Sequence, residues 1–326
     1  MRQARGCVAP IEMASVLVTG AAGFVGSHTV EALLAAGHHV TGIDNLRTGS
    51  EGNLGAVAGH PAWRFIRQDI LDADDFRHAV RAAKPEIILH LAALVSLPES
   101  IADPRLHFDL NVRAVHIVVD AAAMAGVRRM IFASSAAVYG ESDALPFDEE
   151  SPTRPLNPYG EAKLAGESLV LGQGRARGSD AVCLRYFNVY GPRQPGDSPY
   201  SGVVSRFLDR LQAGRPPVIY GDGMQTRDFI HVRDVSRANA MAVGAPAPLT
   251  GVFNICSGRE CAVGDLAALM MQEFMSPSAP VFEAARPGEA RRSAGNGARA
   301  KAVLGFSAGI AMAAGLGELK GISIAY

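Results

Sequence analysis

The chain has 326 residues, enough for about two domains of roughly 150 residues each. Its 31 Lys and Arg against 32 Asp and Glu give a formal charge of −1, which argues against a nucleic-acid-binding protein because such proteins carry a basic stripe or a high pI. With 48% hydrophobic and 19% charged residues, the sequence can bury a large core and does not belong to the disordered class.

The cysteine content and the N-terminal sequence indicate a cytoplasmic protein. Four cysteines are too few for a disulfide framework, and they form no CxxC pair that would indicate a metal or redox centre. Residues 1–15 lack the continuous apolar core of a signal peptide, and no apolar run has a membrane-spanning length. We expect no membrane segment and no metal, and we interpret the first residues as a short leader, with Met13 as a candidate start.

Short aliphatic runs alternate with longer Ala- and Leu-rich stretches through the first half of the chain. The short runs predict strands at Ser15–Thr19, His39–Asp44, Trp63–Ile66, Glu86–His90, Arg129–Ser134 and Val182–Phe187. The longer stretches predict helices at Phe24–Ala36, Asp74–Ala83, Pro104–Ala125 and Asn157–Leu171. Because the strands alternate with helices and are continuously apolar, they predict an α/β fold with a doubly wound, Rossmann-like parallel sheet.

After Gly191, Gly, Pro and Asp become frequent and the alternation of strands and helices weakens. We expect a Rossmann domain over residues 14–190 and a smaller C-terminal substrate-binding lobe over residues 191–326, with some segments of the lobe returning to the first domain. The lobe would close over the carboxyl ends of the strands, where doubly wound sheets bind ligands.

A glycine-rich turn joins the first predicted strand to the first predicted helix. Gly20, Gly23 and Gly26 are spaced GxxGxxG, a variant of the dinucleotide-binding GxGxxG motif. Glycines in such a turn allow a tight bend, close approach of a pyrophosphate and close packing of helix on strand, and the anion then meets the N–H groups at the helix start. The alternative is an ordinary strand–helix loop that binds no nucleotide. The position of the turn, directly between the first predicted strand and the first predicted helix, disfavours this alternative.

An acidic residue ends the second predicted strand. A carboxylate at this position, here Asp44, accepts hydrogen bonds from an adenosine ribose and repels the 2′-phosphate of NADP, so that it favours NAD. The nearby Arg47 leaves NADP as the rival interpretation. Asp69 and Ile70 follow the third strand, where they would flank the adenine ring or serve only as a loop and helix-capping pair.

Three residues predict a catalytic group near the fifth strand. Ser135 comes at the carboxyl end of that strand, and Tyr159 and Lys163 are four residues apart on a predicted helix, so their side chains share one face. A free tyrosine has a pKa of about 10 and is a poor base near neutrality. We expect the Lys163 ammonium and a positive nicotinamide ring to favour the phenolate of Tyr159, with Ser135 holding the reacting hydroxyl.

These motifs together resemble the extended short-chain dehydrogenase/reductase family, and within it the NAD-dependent nucleotide-sugar epimerases, most closely the UDP-glucose 4-epimerases. The resemblance runs from about Ser15 to Phe306. Its matches are GAAGFVG (20–26), DN (44–45), HLAA (90–93), SSAAVYG (134–140), YGEAK (159–163), RYFNVYGPRQ (185–194), GDGMQTRDFIHVRDV (221–235) and RPGE (286–289).

The resemblance implies a role for each matching position. The catalytic residues would be Ser135, Tyr159 and Lys163. The NAD-binding residues would be Gly20, Gly23, Phe24, Val25, Gly26, Asp44, Asn45, Asp69, Ile70, Leu91, Ala92, Ala93, Asn111, Tyr159, Lys163 and Phe187. The UDP-sugar substrate would be held by Ser135, Asn188, the segment from Val218 to Tyr220, Arg227, Arg286 and Ser293, with the two arginines on the diphosphate because guanidinium groups pair with phosphate oxygens in two-point contacts.

The resemblance implies C4 epimerisation of a UDP-hexose through a transient 4-keto sugar, and it leaves alternatives open. Ala136 and Ala137 stand where dehydratases of the family carry acids, which disfavours a nucleotide-sugar 4,6-dehydratase. The small Ser293 would admit an N-acetyl group, while UDP-glucuronate remains an alternative substrate. A non-enzymatic NAD-sensing regulator is the other class, disfavoured because such proteins typically lose the Tyr/Lys pair. Relatives imply a homodimer formed by the two long predicted helices.

Overall fold

The computed structural model describes residues 13–95, 97–195, 202–285 and 290–321, without the side chains at 97, 98 and 101. In chain order, the strands β1–β12 are Ser15–Thr19, His39–Asp44, Trp63–Arg67, Ile87–His90, Arg129–Ser135, Asp180–Tyr186, Asn188–Tyr190, Val218–Tyr220, Thr226–His231, Gly251–Ile255, Glu260–Ala262 and Val281–Glu283. The helices α1–α11 are Phe24–Ala35, Ala73–Ala83, Leu97–Ala102, Pro104–Phe108, Ala114–Ala125, Pro158–Arg177, Val203–Gln212, Val232–Gly244, Val263–Glu273, Ala298–Leu304 and Met312–Glu318.

A seven-stranded, all-parallel sheet forms the centre of the molecule. Its strand order is β10-β6-β5-β4-β1-β2-β3, and the six strands predicted from the sequence all occur in it. The seventh strand, β10, comes from the second half of the chain and pairs with β6. The Rossmann-like α/β fold is therefore confirmed, whereas the division into domains at residue 190 stays a prediction.

Two apolar layers cover the two faces of this sheet. On one face, α1 packs against α8, and α10 packs against β10. On the other face, α5 packs between α2 and α6. Strands such as β4 and β6 are buried along their whole length because helices cover both of their faces, which explains their continuously apolar sequences.

The predicted helix Pro104–Ala125 is continuous but contains a π-helical turn. It consists of α4, a π-helical turn at Asp109–Arg113 and α5, without a break in the helical path. Asn111 lies in the π turn, and its side-chain amide donates to the carbonyl of Leu94 and accepts from the N–H of Leu94, both at 2.9 Å. The π turn therefore carries the side chain that holds the loop after β4. Such turns are frequent at functional sites.

Outside the large sheet, the described residues form a three-stranded sheet and a two-stranded sheet, which we assign to the predicted smaller lobe. The first has the order β11-β9-β7 and the second pairs β12 with β8. Helices α7, α9 and α11 pack on them around a separate apolar core that includes Phe207, Ile219 and Leu266. Because β7 begins only two residues after β6 ends, the lobe starts directly from the carboxyl edge of the large sheet. This is the edge at which doubly wound folds bind ligands.

Candidate active site

The glycine turn has the geometry that its sequence predicts. Gly20 has a left-handed φ of +69°, and a Cβ there would lie 2.7 Å from the backbone nitrogen of Ala92. A Cβ on Gly26 would lie 1.9 Å from the carbonyl oxygen of Gly20, so α1 packs directly on the turn. Gly23 precedes α1, whose first turn holds no acidic side chain and receives no side-chain cap. The free N–H groups at the start of α1 therefore suit an anion.

Asp44 lies beside this turn at the end of β2. Its two carboxylate oxygens accept hydrogen bonds from the backbone N–H groups of Ala22 at 3.0 Å and Leu46 at 2.8 Å. Partial burial raises the pKa of the carboxyl group, and these two hydrogen bonds oppose that effect. The carboxylate is thus held at the position where the sequence predicts a ribose-binding acid.

The remaining residues predicted around the adenosine also lie together. Asn45 donates to the carboxylate of Asp69 at 2.8 Å, and Ile70 is buried next to Asp69 in the chain. Arg47, which left NADP open, forms an ion pair with Glu99. In the protein alone the Arg47 guanidinium therefore has a carboxylate partner, and its side chain stays 41% exposed.

The segment after β4 approaches the turn from the other side. The backbone N–H groups of Leu91 and Ala92 donate to the hydroxyl oxygen of Thr19, at 3.2 and 3.3 Å. That segment continues through Ala93 to Leu94, where Asn111 holds the backbone. Asn111 therefore acts on the shape of the predicted cofactor channel through Leu94.

The first turn of α6 carries the predicted base. Asn157 caps the helix by accepting from the N–H of Gly160 at 2.9 Å, and Pro158 occupies the first helical position. This start places the half-buried Tyr159 against Ser135, with which its side chain forms a hydrogen bond. Lys163, one turn later, is buried and donates to the carbonyl oxygen of Ala133 at 2.8 Å.

The phenol of Tyr159 is a weak acid in the protein without a bound nicotinamide. Burial raises its pKa to about 12, although the hydrogen bond with Ser135 acts to lower it. The Lys163 nitrogen lies 5.7 Å from the centroid of the Tyr159 ring and is bonded to a backbone carbonyl rather than to the phenol. The protein's own groups therefore do not depress the pKa of Tyr159, because the cost of burying a phenolate outweighs the contribution of the neighbouring side chains.

Residues predicted to contact the substrate lie at the junction of the two sheets. Phe187 is buried between β6 and β7, and Asn188 is the half-buried first residue of β7. A Cβ on Gly295 would lie 2.6 Å from the Phe187 ring, so the 290s segment crosses the junction. Ser293 is half-buried in that segment. The structure thus brings Phe187 and the segment carrying Ser293 together.

The other predicted substrate residues lie in the smaller lobe. Residues 218–220 form β8, with Ile219 buried and its two neighbours half-buried. Arg227, on β9, donates to the carbonyl oxygen of Thr226 at 2.7 Å and reaches that of Arg291 at 3.5 Å. Arg286 lies outside the described residues.

Two buried acids that the sequence analysis did not single out organise the site. Asp228 is fully buried and accepts from both the N–H and hydroxyl of Ser257 and from the N–H groups of Gly258 and Gly295, so it ties β9 to the segment that carries Ser293. Glu167, two turns after Tyr159 on α6, accepts a hydrogen bond from the hydroxyl of Ser134 and forms an ion pair with Arg185. In the sequence, Glu167 is signalled only as an acid in the predicted helix after Lys163, and Asp228 only as an acid inside the motif at 221–235.

The structure therefore fits a dinucleotide in three respects. The glycine cradle excludes side chains, the backbone N–H groups at the start of α1 receive no side-chain cap from the described residues, and Asp44 offers carboxylate oxygens beside them. The described residues contain no group of three or more His, Cys, Asp or Glu arranged to hold a metal ion. Likewise, no helix in the described part of the chain has the length and apolarity needed to cross a membrane.

Comparison with known proteins gives consistent results. The model of the NAD dependent epimerase/dehydratase family matches residues 16–256. A UDP-glucose 4-epimerase from Mycolicibacterium smegmatis is 39% identical over 303 residues, covering 93% of this chain and 96% of the relative. The crystal structure of UDP-glucose 4-epimerase from Thermotoga maritima with UDP-glucose superposes with a TM-score of 0.88 at 34% identity, covering 93% and 96% of the two chains. The UDP-glucose 4-epimerase of Thermus thermophilus in complex with NAD gives 0.86 at 33% identity, covering 94% and 98%.

Proposed function

Because this chain belongs to the NAD dependent epimerase/dehydratase family, we propose that it inverts C4 of a UDP-hexose, interconverting UDP-glucose and UDP-galactose. The observation that carries the proposal is the meeting of Ser135, Tyr159 and Lys163 at the carboxyl end of β5, beside a cradle suited to NAD. Relatives named UDP-glucose 4-epimerases, matched over almost their whole length, support the choice of substrate.

The residues divide the chemistry among them. When bound, NAD supplies a hydride acceptor and a positive charge. Tyr159 takes the proton of the C4 hydroxyl as the carbon is oxidised to a ketone, and it returns the proton when the ketone is reduced from its other face. Ser135 holds the reacting oxygen, and the Lys163 ammonium stabilises the phenolate. Because the pKa of Tyr159 is about 12 in the protein alone, we expect the phenolate to form only with NAD in place.

Retention of the substrate while the sugar turns is assigned to the smaller lobe. Arg227 and Arg286 would hold the diphosphate, and residues 218–220 with Asn188 would hold the nucleoside and sugar. Ser293 is small, so we propose that UDP-N-acetylglucosamine also enters the site. UDP-glucuronate is the alternative substrate to be tested beside them.

Dehydration is the second reaction that the family name covers. Elimination of a hydroxyl from a 4-keto sugar needs a further acid and base close to the catalytic residues. In this chain, Ala136 and Ala137 follow Ser135 in a short 3₁₀ turn and provide only methyl groups. We therefore favour simple epimerisation over 4,6-dehydration, and we favour an enzyme over an NAD-sensing regulator because Tyr159 and Lys163 are both present.

We also propose that the protein is a cytoplasmic homodimer. Phe108 and Met124, on the helical segment formed by α4 and α5, expose 55% and 54% of their surface, which supports burial of this segment in a dimer. The free cysteines Cys183, Cys256 and Cys261 support a reducing compartment. Light scattering of wild-type protein and a Phe108→Glu variant tests the dimer, since we expect the variant to be monomeric.

Product analysis tests the proposed function. The purified protein should convert UDP-glucose, and to some extent UDP-N-acetylglucosamine, to the C4 epimer without added NAD. Tyr159→Phe should retain bound NAD but lose turnover by about 10²- to 10⁴-fold, the usual contribution of a general base. A 4-keto-6-deoxy product would show that the enzyme is a dehydratase, and undiminished turnover of the variant would show that Tyr159 is not the base.

A further inference from the structure

Helix α6 bonds to the end of β5 through side chains spaced four residues apart. Tyr159 forms a hydrogen bond with Ser135, the last residue of the strand, and Lys163 donates to the carbonyl oxygen of Ala133. Glu167 continues the stripe and accepts a hydrogen bond of 2.5 Å from the hydroxyl of Ser134. Three consecutive strand residues are thus each bonded to α6, and the third bond belongs to a residue with no role in the proposed reaction.

Arg185 on β6 holds the Glu167 carboxylate in a two-point contact. Its Nε and Nη2 atoms donate to the two carboxylate oxygens at 2.8 and 2.7 Å. Both side chains are almost fully buried, and the guanidinium lies 4.7 Å from the centroid of the Tyr139 ring. A buried ion pair gains little stability relative to apolar residues because of its desolvation cost, whereas its fixed geometry orients what it touches.

Glu167 also supplies the negative charge around Lys163. Burial lowers the pKa of Lys163 to about 8, and Glu167 acts to raise it. His90 from β4 and His107 from α4 also interact with Lys163, but burial lowers the pKa of each, that of His90 to about 3, so both are neutral near pH 7.

The other groups near Glu167 do not offer a second negative charge. Burial raises the thiol pKa of Cys183, on β6, well above its usual range, so that this side chain is neutral. The Arg185 guanidinium is the positive partner of Glu167. Among the titratable groups of the described residues that interact with Lys163, the stabilising negative charge therefore comes from Glu167.

We propose that Glu167 is a positioning residue of the reaction: clamped by Arg185, it aligns the end of β5 with α6 and places a negative charge one helical turn from the Lys163 ammonium. The reaction itself is the one given under the proposed function, on which the kinetic part of this inference rests. Without Glu167, Lys163 loses its proton at a lower pH and the phenolate loses its partner.

The lysine content of the chain allows a direct test that does not depend on turnover. The sequence has four lysines, Lys84, Lys163, Lys301 and Lys320, so protein labelled with [ε-¹³C]lysine gives four NMR signals, and Lys163→Arg identifies that of Lys163. The Lys163 signal of the wild-type protein should titrate with a midpoint of about 8. In Glu167→Gln the midpoint should move at least half a pH unit lower, whereas Glu167→Asp, which keeps the charge, should restore it.

A matched control lies on the same helix. Glu161 is exposed in the first turn of α6, so Glu161→Gln should leave the midpoint unchanged. Glu167→Gln leaves Arg185 buried without its partner and can fail to fold. The paired variant Glu167→Met/Arg185→Met, which replaces both charges with apolar side chains, then carries the test. A Lys163 midpoint that stays at the wild-type value in either folded variant overturns the proposal.

Kinetics test the alignment. We expect kcat of Glu167→Gln to fall about ten- to a hundredfold, the usual scale for a misplaced catalytic group, with KM and bound NAD changed less than about twofold. The alkaline limb of the rate–pH profile should move to lower pH together with the NMR midpoint. Equal loss of rate at every pH contradicts the proposal. If wild-type protein epimerises no UDP-sugar, the proposed function fails, while the NMR titration still decides the role of Glu167.

Discussion

The contact between Gly26 and Gly20 allows a prediction with a worked magnitude. A Cβ added at Gly26 would lie 1.9 Å from the carbonyl oxygen of Gly20, whereas ordinary contacts begin near 3.4 Å. The added Cβ is fixed to the backbone of α1 and the oxygen belongs to the backbone of the turn, so one of these two segments must move by roughly 1.5 Å. Overpacking of this kind costs about 1–3 kcal/mol, and alanine regains up to about 1 kcal/mol of helix propensity. A contact of 1.9 Å with a backbone atom belongs at the upper end of that cost, so we expect Gly26→Ala to lower the free energy of unfolding by about 2 kcal/mol.

The displacement should also weaken cofactor binding, because the backbone donors at the start of α1 move away from the pyrophosphate. Loss of one hydrogen bond to a charged group is worth about 1.5–3 kcal/mol, so NAD affinity should fall at least about tenfold. Gly172 is the matched control: it lies inside α6, and the nearest atom to an added Cβ is the end of the Arg175 side chain, 4.0 Å away. Gly172→Ala should therefore stabilise the protein and leave NAD bound.

Urea unfolding and the NAD content of the purified proteins measure both effects. The m-value should be unchanged, so that the shift in midpoint reports stability. A Gly26→Ala protein with the stability and NAD content of the wild type would refute the assignment of this turn as the cofactor cradle.

Three further substitutions test other parts of the site. Between pH 8 and 10 the unfolding free energy of the wild type should rise by about 2 kcal/mol relative to that of Lys163→Met. The pKa of Lys163 is about 8 in the folded protein and 10.5 in the unfolded chain, so the unfolded chain binds more protons in this range. Parallel stability curves of the two proteins would contradict this. Asp44→Asn should reduce the preference for NAD over NADP at least about tenfold in binding titrations, since it removes the charge that repels the 2′-phosphate, and an unchanged ratio would assign that preference elsewhere. Ser293→Tyr should lower kcat/KM for UDP-N-acetylglucosamine about tenfold more than for UDP-glucose, and equal losses would remove Ser293 from the specificity pocket.

Local patterns predicted much of the fold and the proximity of the candidate catalytic residues. Apolar runs predicted the six strands β1–β6 to within two residues at their ends, and four-residue spacing predicted that Tyr159 and Lys163 share a helix face. These features depend on neighbours along the chain, which a sequence displays directly. The seventh strand, β10, lies in the Gly- and Pro-rich half and was not predicted as a strand, because its pairing with β6 depends on a partner about 70 residues earlier in the chain.

Features that depend on contacts across the fold could not be predicted. Burial between elements raises the pKa of Tyr159 in the protein alone, and no residue pattern along the chain indicates that burial. The hydrogen-bond partners of Glu167 and Asp228 lie 18 to 67 residues away from them along the chain. The π turn at Asn111 reflects its bonds to Leu94, which no residue pattern within the helix indicates.

The transient oxidation of C4 is the central claim, and the fate of the C4 hydrogen tests it most directly. UDP-glucose carrying deuterium at C4 is incubated with the protein in ordinary water, and the product is analysed by NMR and mass spectrometry. The proposed mechanism predicts UDP-galactose that retains deuterium at C4, with no hydrogen from water at C4, C5 or C6. Deuterium lost from C4 to solvent, or hydrogen from water incorporated at C5, would contradict it.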